Sequence, residues 1–392
     1  MDPVSSLPAV AALTVAVATA YLLAKKFGEP TDQGRFASID GLRGFLAFFV
    51  FLHHSSIWYF YLRSGKWEVP PSNLYTHFGQ SSVALFFMIT GFLFFSKMID
   101  GRARRIDWER LYISRLLRLV PLYLCAISLM FLLVFILSNG VLNEPILNLL
   151  VGILKWLGFT AFGGPDLNGV DRTSSIVAGV TWSLPYEWVF YFSLPMFAFI
   201  IGVKPPPAYI VLGVLSMAYV ASHPSIRYLS FLGGITAAIL VRFECVRRIA
   251  VGDLSTLIAI FCLIATVVVA PSGYGVVPVC LLTVFFVLVA SGNSLFGVLI
   301  NSTSRTLGEF AYGIYLIHGL VLFVTFNFVL GLPASRALSA IQHWAVVVCV
   351  TPVLVAVCFM AYRFIEHPAM QQTTKWTIWL RTSMLGWARV AH

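Results

Sequence analysis

Long apolar runs separated by short polar loops account for most of this sequence. Runs of about 20 apolar residues cross a bilayer as helices. The first run covers 7–24 and is followed by Lys25 and Lys26, whereas a signal peptide carries its positive charges before the apolar run, so it predicts an N-terminal membrane helix. Further runs predict helical segments over 41–60, 81–98, 119–137, 146–163, 185–202, 207–222, 226–241, 254–270, 275–291, 307–331 and 344–364.

The composition supports this interpretation. The chain has 392 residues, of which 59% are hydrophobic and 11% charged, whereas soluble proteins carry about 25% charged residues. We therefore predict an all-α, polytopic transmembrane bundle with roughly ten core spanning helices plus the N-terminal one, and a lipid bilayer as partner. The net charge of +10 fits basic cytoplasmic loops better than a nucleic-acid partner. No Cys-x-x-Cys pair occurs, and we expect no metal site.

Basic residues in short loops predict the orientation. The most basic loop, 97–118, is expected to be cytoplasmic and contains Lys97, Arg102, Arg104, Arg105, Arg110, Arg115 and Arg118. A second cluster, Arg242, Arg247 and Arg248, falls on the same side only if 146–163 enters the membrane without crossing it. The glycines and the lysine in that segment suit a re-entrant piece packed against protein.

We divide the chain into three parts. Residues 1–35 hold the N-terminal helix and a cytoplasmic linker, 36–368 form one membrane domain, and 369–392 form a basic tail. In the tail, Trp376, Leu380 and Trp387 fall on one helical face. This predicts a basic amphipathic helix on the inner surface, and an unstructured tail is the alternative.

Ionisable residues in the segment 41–60 are the first candidates for chemistry. Arg43 and His54 are eleven residues apart, which places them within about 20° of one helix face and roughly 16 Å apart along the axis. With Asp40 they suggest a polar path into the membrane, where ionisable groups are rare and usually functional. His54 shares that face better than His53, and its imidazole could exchange a proton with a hydroxyl. A packed structural histidine is the alternative.

Two further arginines stand where the basic loop enters the next apolar run. Arg115 and Arg118 are three residues apart and are therefore neighbours on one helix face. Guanidinium groups grip phosphate oxygens bidentately, so the pair predicts a site for a phosphorylated carrier. Plain topological anchors are the alternative.

An aromatic segment around an acid and one more histidine complete the candidates. Glu187 follows Trp182 and Tyr186 and opens a span on the predicted outer side. These residues could bind a sugar, or they could be a helix-start carboxylate and an interfacial aromatic belt. His318 lies about three turns into the segment 307–331, and packing against a neighbour is its more common role.

Five segments in order resemble the membrane-bound acyltransferase-3 family of bacterial O-acyltransferases. They are Ser38-Ile39-Asp40-Gly41-Leu42-Arg43-Gly44, Phe86–Leu93, Arg115–Tyr123, Trp182-Ser183-Leu184 with Glu187, and Tyr315–His318. In particular, Arg43 and His54 match the family's pair of an arginine and a histidine separated by ten residues, and Arg115 and Arg118 match its Arg-x-x-Arg element.

The resemblance implies a function. Such proteins move an acyl group, usually acetyl, from cytoplasmic acyl-CoA to hydroxyls of surface or exported glycans. It implies catalytic roles for His54, as general base or transient acyl acceptor, with Arg43 and Asp40. Arg115 and Arg118 would bind acyl-CoA (acetyl-CoA), the donor. We assign the glycan or lipid-linked saccharide acceptor to Glu187, Trp182, Tyr186 and His318.

Some family members carry a hydrolase-like domain after the last helix, and only about 24 residues follow Pro368 here. The chain is therefore expected to act alone or with a partner protein, in the bacterial inner (cytoplasmic) membrane. A non-enzymatic transporter or flippase of a lipid-linked sugar is the alternative function.

Overall fold

The computed structural model describes residues 2–28, 36–102 and 106–390, with side chains to 383. Arg104 and Arg105 thus lie outside the described residues, as do the side chains of Trp387 and Arg389. Within the described ranges the chain folds into helices and has no strand. The helices are α1 (Leu7–Phe27), α2 (Ala37–Ser64), α3 (Asn73–Asp100), α4 (Trp108–Leu137), α5 (Ile146–Leu157), α6 (Thr173–Ile176), α7 (Ser183–Ile200), α8 (Pro207–Ser222), α9 (Tyr228–Leu240), α10 (Glu244–Ala250), α11 (Asp253–Val269), α12 (Val276–Ala290), α13 (Ser302–Glu309), α14 (Ala311–Val324), α15 (Leu332–Ala337), α16 (Ala340–Ala361), α17 (His367–Gln371) and α18 (Thr373–Val390).

The helical membrane bundle predicted from the sequence is confirmed. Among the described residues, 6 helical stretches are long and apolar enough to cross a membrane, or up to 7 if α9 and α10, bent by 106°, form one span. The six are Leu7–Phe27, Ala37–Ser64, Asn73–Asp100, Trp108–Leu137, Ala311–Val329 and Ala340–Ser383. Helices α8, α11 and α12 are apolar but have only 15 to 17 residues, so the number of ten core spans stays a prediction.

The segment around α5 enters the bundle and turns back. Its helix has 12 residues, about 18 Å, which is short of the roughly 30 Å of hydrocarbon. At its end the Trp156 carbonyl accepts a 2.5 Å hydrogen bond from the Tyr123 hydroxyl, halfway along α4. The chain then returns, because Asn168, beyond α5, accepts a 2.7 Å bond from the amide of Asn143, before it. The chain thus turns back beside α5, and that 146–163 enters the membrane without crossing it stays a prediction.

The basic clusters gather at one end of the bundle. Arg242 donates a 2.8 Å hydrogen bond to Asp100 at the end of α3, and Arg381 of α18 donates to Asp107 and Glu109, at 2.5 and 3.2 Å, where α4 begins. We call this the arginine-rich end. Arg242 thus lies at the same end of the bundle as the loop before α4. The orientation predicted from the sequence, in which 146–163 does not cross the membrane, requires this. The tail is helical, and its place on the membrane surface stays a prediction.

Glycines let α13 pack closely against α2, next to the candidate polar residues. A Cβ atom on Gly44 would lie 2.6 Å from Cβ of Leu307 and 2.8 Å from the backbone nitrogen of Gly308. Both distances are shorter than packed atoms tolerate. The position of Arg43, which directly precedes Gly44 in α2, therefore depends on the glycine that ends the segment 38–44.

We expect Gly44→Ala to lower the melting temperature of the detergent-purified protein. Overpacking costs about 1–3 kcal/mol, and this exceeds the roughly 1 kcal/mol that alanine gains over glycine in a helix. The matched control is Gly252→Ala, since an added Cβ there meets only the carbonyl oxygen of Ile249, at 3.5 Å. Equal melting temperatures for the two variants would contradict the close packing of α2 against α13.

Candidate active site

Three arginines from two helices line one cavity. Arg43 of α2 and Arg115 and Arg118 of α4 face a space of about 300 Å³, which we call the arginine cavity. The Arg115 guanidinium lies 5.1 Å from the centre of the Phe94 ring, and its Nε is buried with no hydrogen-bond partner among the described residues. Buried guanidinium groups need anionic or polar partners. The cavity is therefore suited to an anion.

The arginine cavity continues towards the arginine-rich end. A second space of about 180 Å³, the mouth cavity, is also lined by Asp40, Arg43 and Arg118, and adds Glu366. Glu366 is buried, with 1% of its surface exposed, and its Oε1 has no hydrogen-bond partner within the described ranges. It ends a π-helical segment, Tyr362–Glu366, and such segments are frequent at functional sites.

A third space lies beyond the arginine cavity, away from the arginine-rich end. This histidine cavity has about 360 Å³. Val83 and Tyr315 line both it and the arginine cavity. Its lining includes His53, His54, Trp67, Trp182, Arg227 and Tyr274. Each cavity thus shares wall residues with the next one. Arg43 lines the arginine cavity and His54 lines the histidine cavity, so the two residues of α2 lie in neighbouring cavities. The polar path predicted from the sequence requires this arrangement.

His54 and His318 form a hydrogen-bonded pair across α2 and α14. Nε2 of His318 lies 3.0 Å from Nδ1 of His54. Nδ1 of His318 lies 2.8 Å from the Ile314 carbonyl oxygen, which can only accept. In a neutral ring, His318 therefore donates from Nδ1 and accepts at Nε2.

This arrangement fixes the tautomer of His54. Its Nδ1 faces two acceptors, Nε2 of His318 and the Val50 carbonyl oxygen at 3.0 Å, so Nδ1 carries the proton. Nε2 then holds a lone pair, and it makes no hydrogen bond within the described part of the chain. His54 is thus oriented as a proton acceptor that lines the histidine cavity.

Glu187 lies deeper than the sequence predicted. It lines the arginine cavity and accepts a 3.0 Å hydrogen bond from the Tyr191 hydroxyl, so it does not open a span at the outer edge. The physical reason is that the re-entrant segment carries the chain into the bundle before α7 begins. Ser183, the first residue of α7, already contacts Tyr315 at 2.7 Å, one turn from His318.

The two predicted aromatic residues lie next to the histidine cavity. Trp182 lines it. The Tyr186 hydroxyl lies 3.4 Å from the Ser225 hydroxyl and accepts a 3.3 Å hydrogen bond from Arg227. Of the nine residues predicted for the site, the structure brings Asp40, Arg43, Arg115, Arg118 and Glu187 to the arginine and mouth cavities, and His54, Trp182, Tyr186 and His318 to the histidine cavity or its wall.

Sequence reasoning missed two charged residues of these cavities. Glu366 has a signal that could have found it, because it is an acid directly after an apolar run. Arg227 was passed over, although it is an isolated arginine at the end away from the basic clusters, where arginine is uncommon. No group of three potential metal ligands occurs among the described residues.

One comparison with known proteins finds a match. A family model described as an acyltransferase domain matches residues 36–363. That range contains α2 to α16 and every residue named above for the three cavities except Glu366. No curated protein and no solved structure matches the chain.

Proposed function

This chain belongs to the acyltransferase-3 family, and we propose that it is the membrane enzyme that transfers an acyl group, acetyl in the simplest case, from acyl-CoA to a glycan hydroxyl. The donor enters from the cytoplasm at the arginine-rich end, and the acceptor enters the histidine cavity from the opposite side. Its place is the bacterial inner membrane, and its family membership favours an acyltransferase over a flippase. The hydroxyl belongs to a surface or exported glycan or to a lipid-linked saccharide.

The observation that carries the proposal is the succession of cavities with the histidine pair beyond the arginines. A transporter needs a polar cavity, but it needs no oriented base. Here Nε2 of His54 has a free lone pair, and the hydrogen bond from Nδ1 to His318 fixes the orientation of the ring. The two substrates approach this atom through different cavities, so neither has to leave before the other enters.

The transfer step follows from this arrangement. As the acceptor hydroxyl oxygen bonds to the thioester carbonyl carbon, Nε2 of His54 takes the hydroxyl proton. The carbon–sulfur bond then breaks, and the departing thiolate takes that proton from the imidazolium. The products are an acyl ester and the free thiol of CoA, and His54 returns to its neutral form.

The arginine cavity supports the donor assignment. CoA carries phosphates at one end of a long, narrow pantetheine arm. Arg43, Arg115 and Arg118 offer guanidinium groups for those phosphates, while the arm carries the thioester towards Tyr315 and His54. Glu187, beside the same arginines, belongs in this proposal to the donor half of the site.

Sealed membrane vesicles of opposite orientation test the proposal. Acetyl-CoA does not cross a bilayer. Labelled acetyl-CoA added outside inverted vesicles should therefore label the glycan, and the same addition to sealed right-side-out vesicles should not. Vesicles that carry the His54→Ala chain are the control for other enzymes. Labelling only in right-side-out vesicles would overturn the orientation, and labelling in neither would overturn the reaction.

A further inference from the structure

Arg227 stands out among the residues that the proposed reaction does not use. It precedes α9 at the end away from the basic clusters and lines the histidine cavity together with His54. Its guanidinium lies over three aromatic rings, with centroid distances of 4.9 Å to Trp182, 5.1 Å to Tyr274 and 5.8 Å to Tyr186. These rings fix its orientation without neutralising its charge.

The charge of Arg227 has no anionic partner in the described structure. Its Nη1 donates a 3.3 Å hydrogen bond to the Tyr186 hydroxyl, and its Nε is buried with no partner among the described residues. Burial raises the pKa of Tyr274, in the loop between α11 and α12, so this phenol stays neutral. Glu68 lines the same cavity, but it is exposed and forms no ion pair with Arg227 within the described ranges.

A guanidinium so held is prepared for a ligand. Of its five N–H donors, one bonds to the Tyr186 hydroxyl and another interacts with the Tyr274 hydroxyl. Both partners are neutral, and the remaining donors are open to a ligand. The fork geometry of guanidinium fits the two oxygens of a carboxylate or phosphate. The cavity volume of about 360 Å³ lies in the usual range for ligand sites, roughly 300–1,000 Å³.

We infer that the acceptor is an anionic saccharide whose carboxylate or phosphate is bound by Arg227 while its hydroxyl faces Nε2 of His54. This rests on the proposed function and names its acceptor class. Trp182 has two roles here, since it lies under the guanidinium and also offers an aromatic face to the sugar ring. The anion fixes which hydroxyl faces the base.

Matched sugars test the inference on the purified full-length chain with acetyl-CoA as donor. The three sugars differ at carbon 6. Methyl glucoside has a neutral hydroxymethyl group there, methyl glucuronide has a carboxylate, and glucose 6-phosphate has a phosphate. We expect one of the two anionic sugars to exceed the neutral sugar in kcat/KM about 10- to 100-fold, because charge-assisted hydrogen bonds give that discrimination. Which of them does so identifies the anion.

Variants connect that preference to Arg227. In Arg227→Gln the ratio of anionic to neutral sugar should fall towards one, and Arg227→Lys should retain part of it, since lysine keeps the charge and loses the fork. Arg172→Gln is the matched control. Arg172 is exposed, lies 5.5 Å from the centre of the Tyr61 ring and does not line the cavity, so its loss should leave the ratio as in the unmodified chain.

The outcomes separate this inference from the proposed function. If the unmodified chain acetylates all three sugars equally, or if Arg227→Gln keeps the full preference, the inference is wrong and the acyltransferase function stands. If no sugar is acetylated, no CoA thiol is released and inverted vesicles label no glycan, both are wrong. Size-exclusion profiles and melting temperatures of the three variants show whether each has folded.

Discussion

Replacing His54 by alanine should lower acyl transfer by about 10²- to 10⁴-fold, the usual cost of losing a general base. The reason lies in the tautomer of this residue. Its Nδ1 is engaged with His318 and Val50, so Nε2 is the ring atom left to accept a proton from the acceptor. The measurement is the rate of acetyl-glycan formation by purified protein, with the amount of folded chain determined for each variant.

Two control variants separate chemistry from packing. His54→Asn keeps an N–H donor in the direction of Nδ1 but has no base in place of Nε2, so it should be as inactive as His54→Ala. His77→Ala removes another buried histidine, which bonds to Ser81 and the Ala270 carbonyl at 2.7 Å and lines neither the arginine nor the histidine cavity. It should retain transfer. Substantial activity in His54→Asn would show that the residue is structural.

The part of this site that lies on single helices could be predicted from the sequence. Arg43 and His54 share a face of α2, and Arg115 and Arg118 share a face of α4, because helical periodicity alone decides which residues of one helix are neighbours. The short α5 and the return of the chain beside it fit the number of crossings that the basic residues on either side require, and the re-entrant segment itself stays a prediction.

The contacts between helices could not be predicted in this way. The bond between His54 and His318 joins residues 264 positions apart, and no local pattern states which helices pack together. Packing of a lone membrane histidine was the more common expectation for His318. The structure shows instead that Nε2 of His318 accepts the hydrogen bond from Nδ1 of His54. It can accept because the proton of the His318 ring is on Nδ1, which donates to the Ile314 carbonyl.

The position of Glu187 within the bundle also differs from the expectation. Glu187 was placed at the outer edge on the assumption that a helix after an outer loop begins at the surface. The segment from α5 to Trp182 enters the bundle before α7 starts, so the acid meets Arg115 and Arg118 instead. Re-entrant geometry depends on tertiary hydrogen bonds, such as that from Tyr123 to Trp156, and these have no signature in local hydropathy.

Arg115→Ala and Arg118→Ala should each weaken acyl-CoA binding about 10- to 100-fold. A charge-assisted hydrogen bond contributes roughly 1.5–3 kcal/mol, and a tenfold change in affinity corresponds to about 1.4 kcal/mol. Both side chains line the arginine cavity. Calorimetry of the purified protein with acetyl-CoA gives the dissociation constants, and their salt dependence should become shallower in both variants.

Arg110→Ala is the matched control, because it removes the same charge from the same helix. Arg110 is exposed and does not line the arginine or mouth cavity, so its loss should change affinity only through screened, long-range attraction. Arg118→Lys should recover part of the binding, since the ammonium keeps the charge but cannot grip two phosphate oxygens in plane. If Arg110→Ala weakens binding as much as Arg115→Ala and Arg118→Ala do, the effect belongs to the net charge of the loop. In that case all three arginines serve as topological anchors, and the donor phosphates must bind elsewhere.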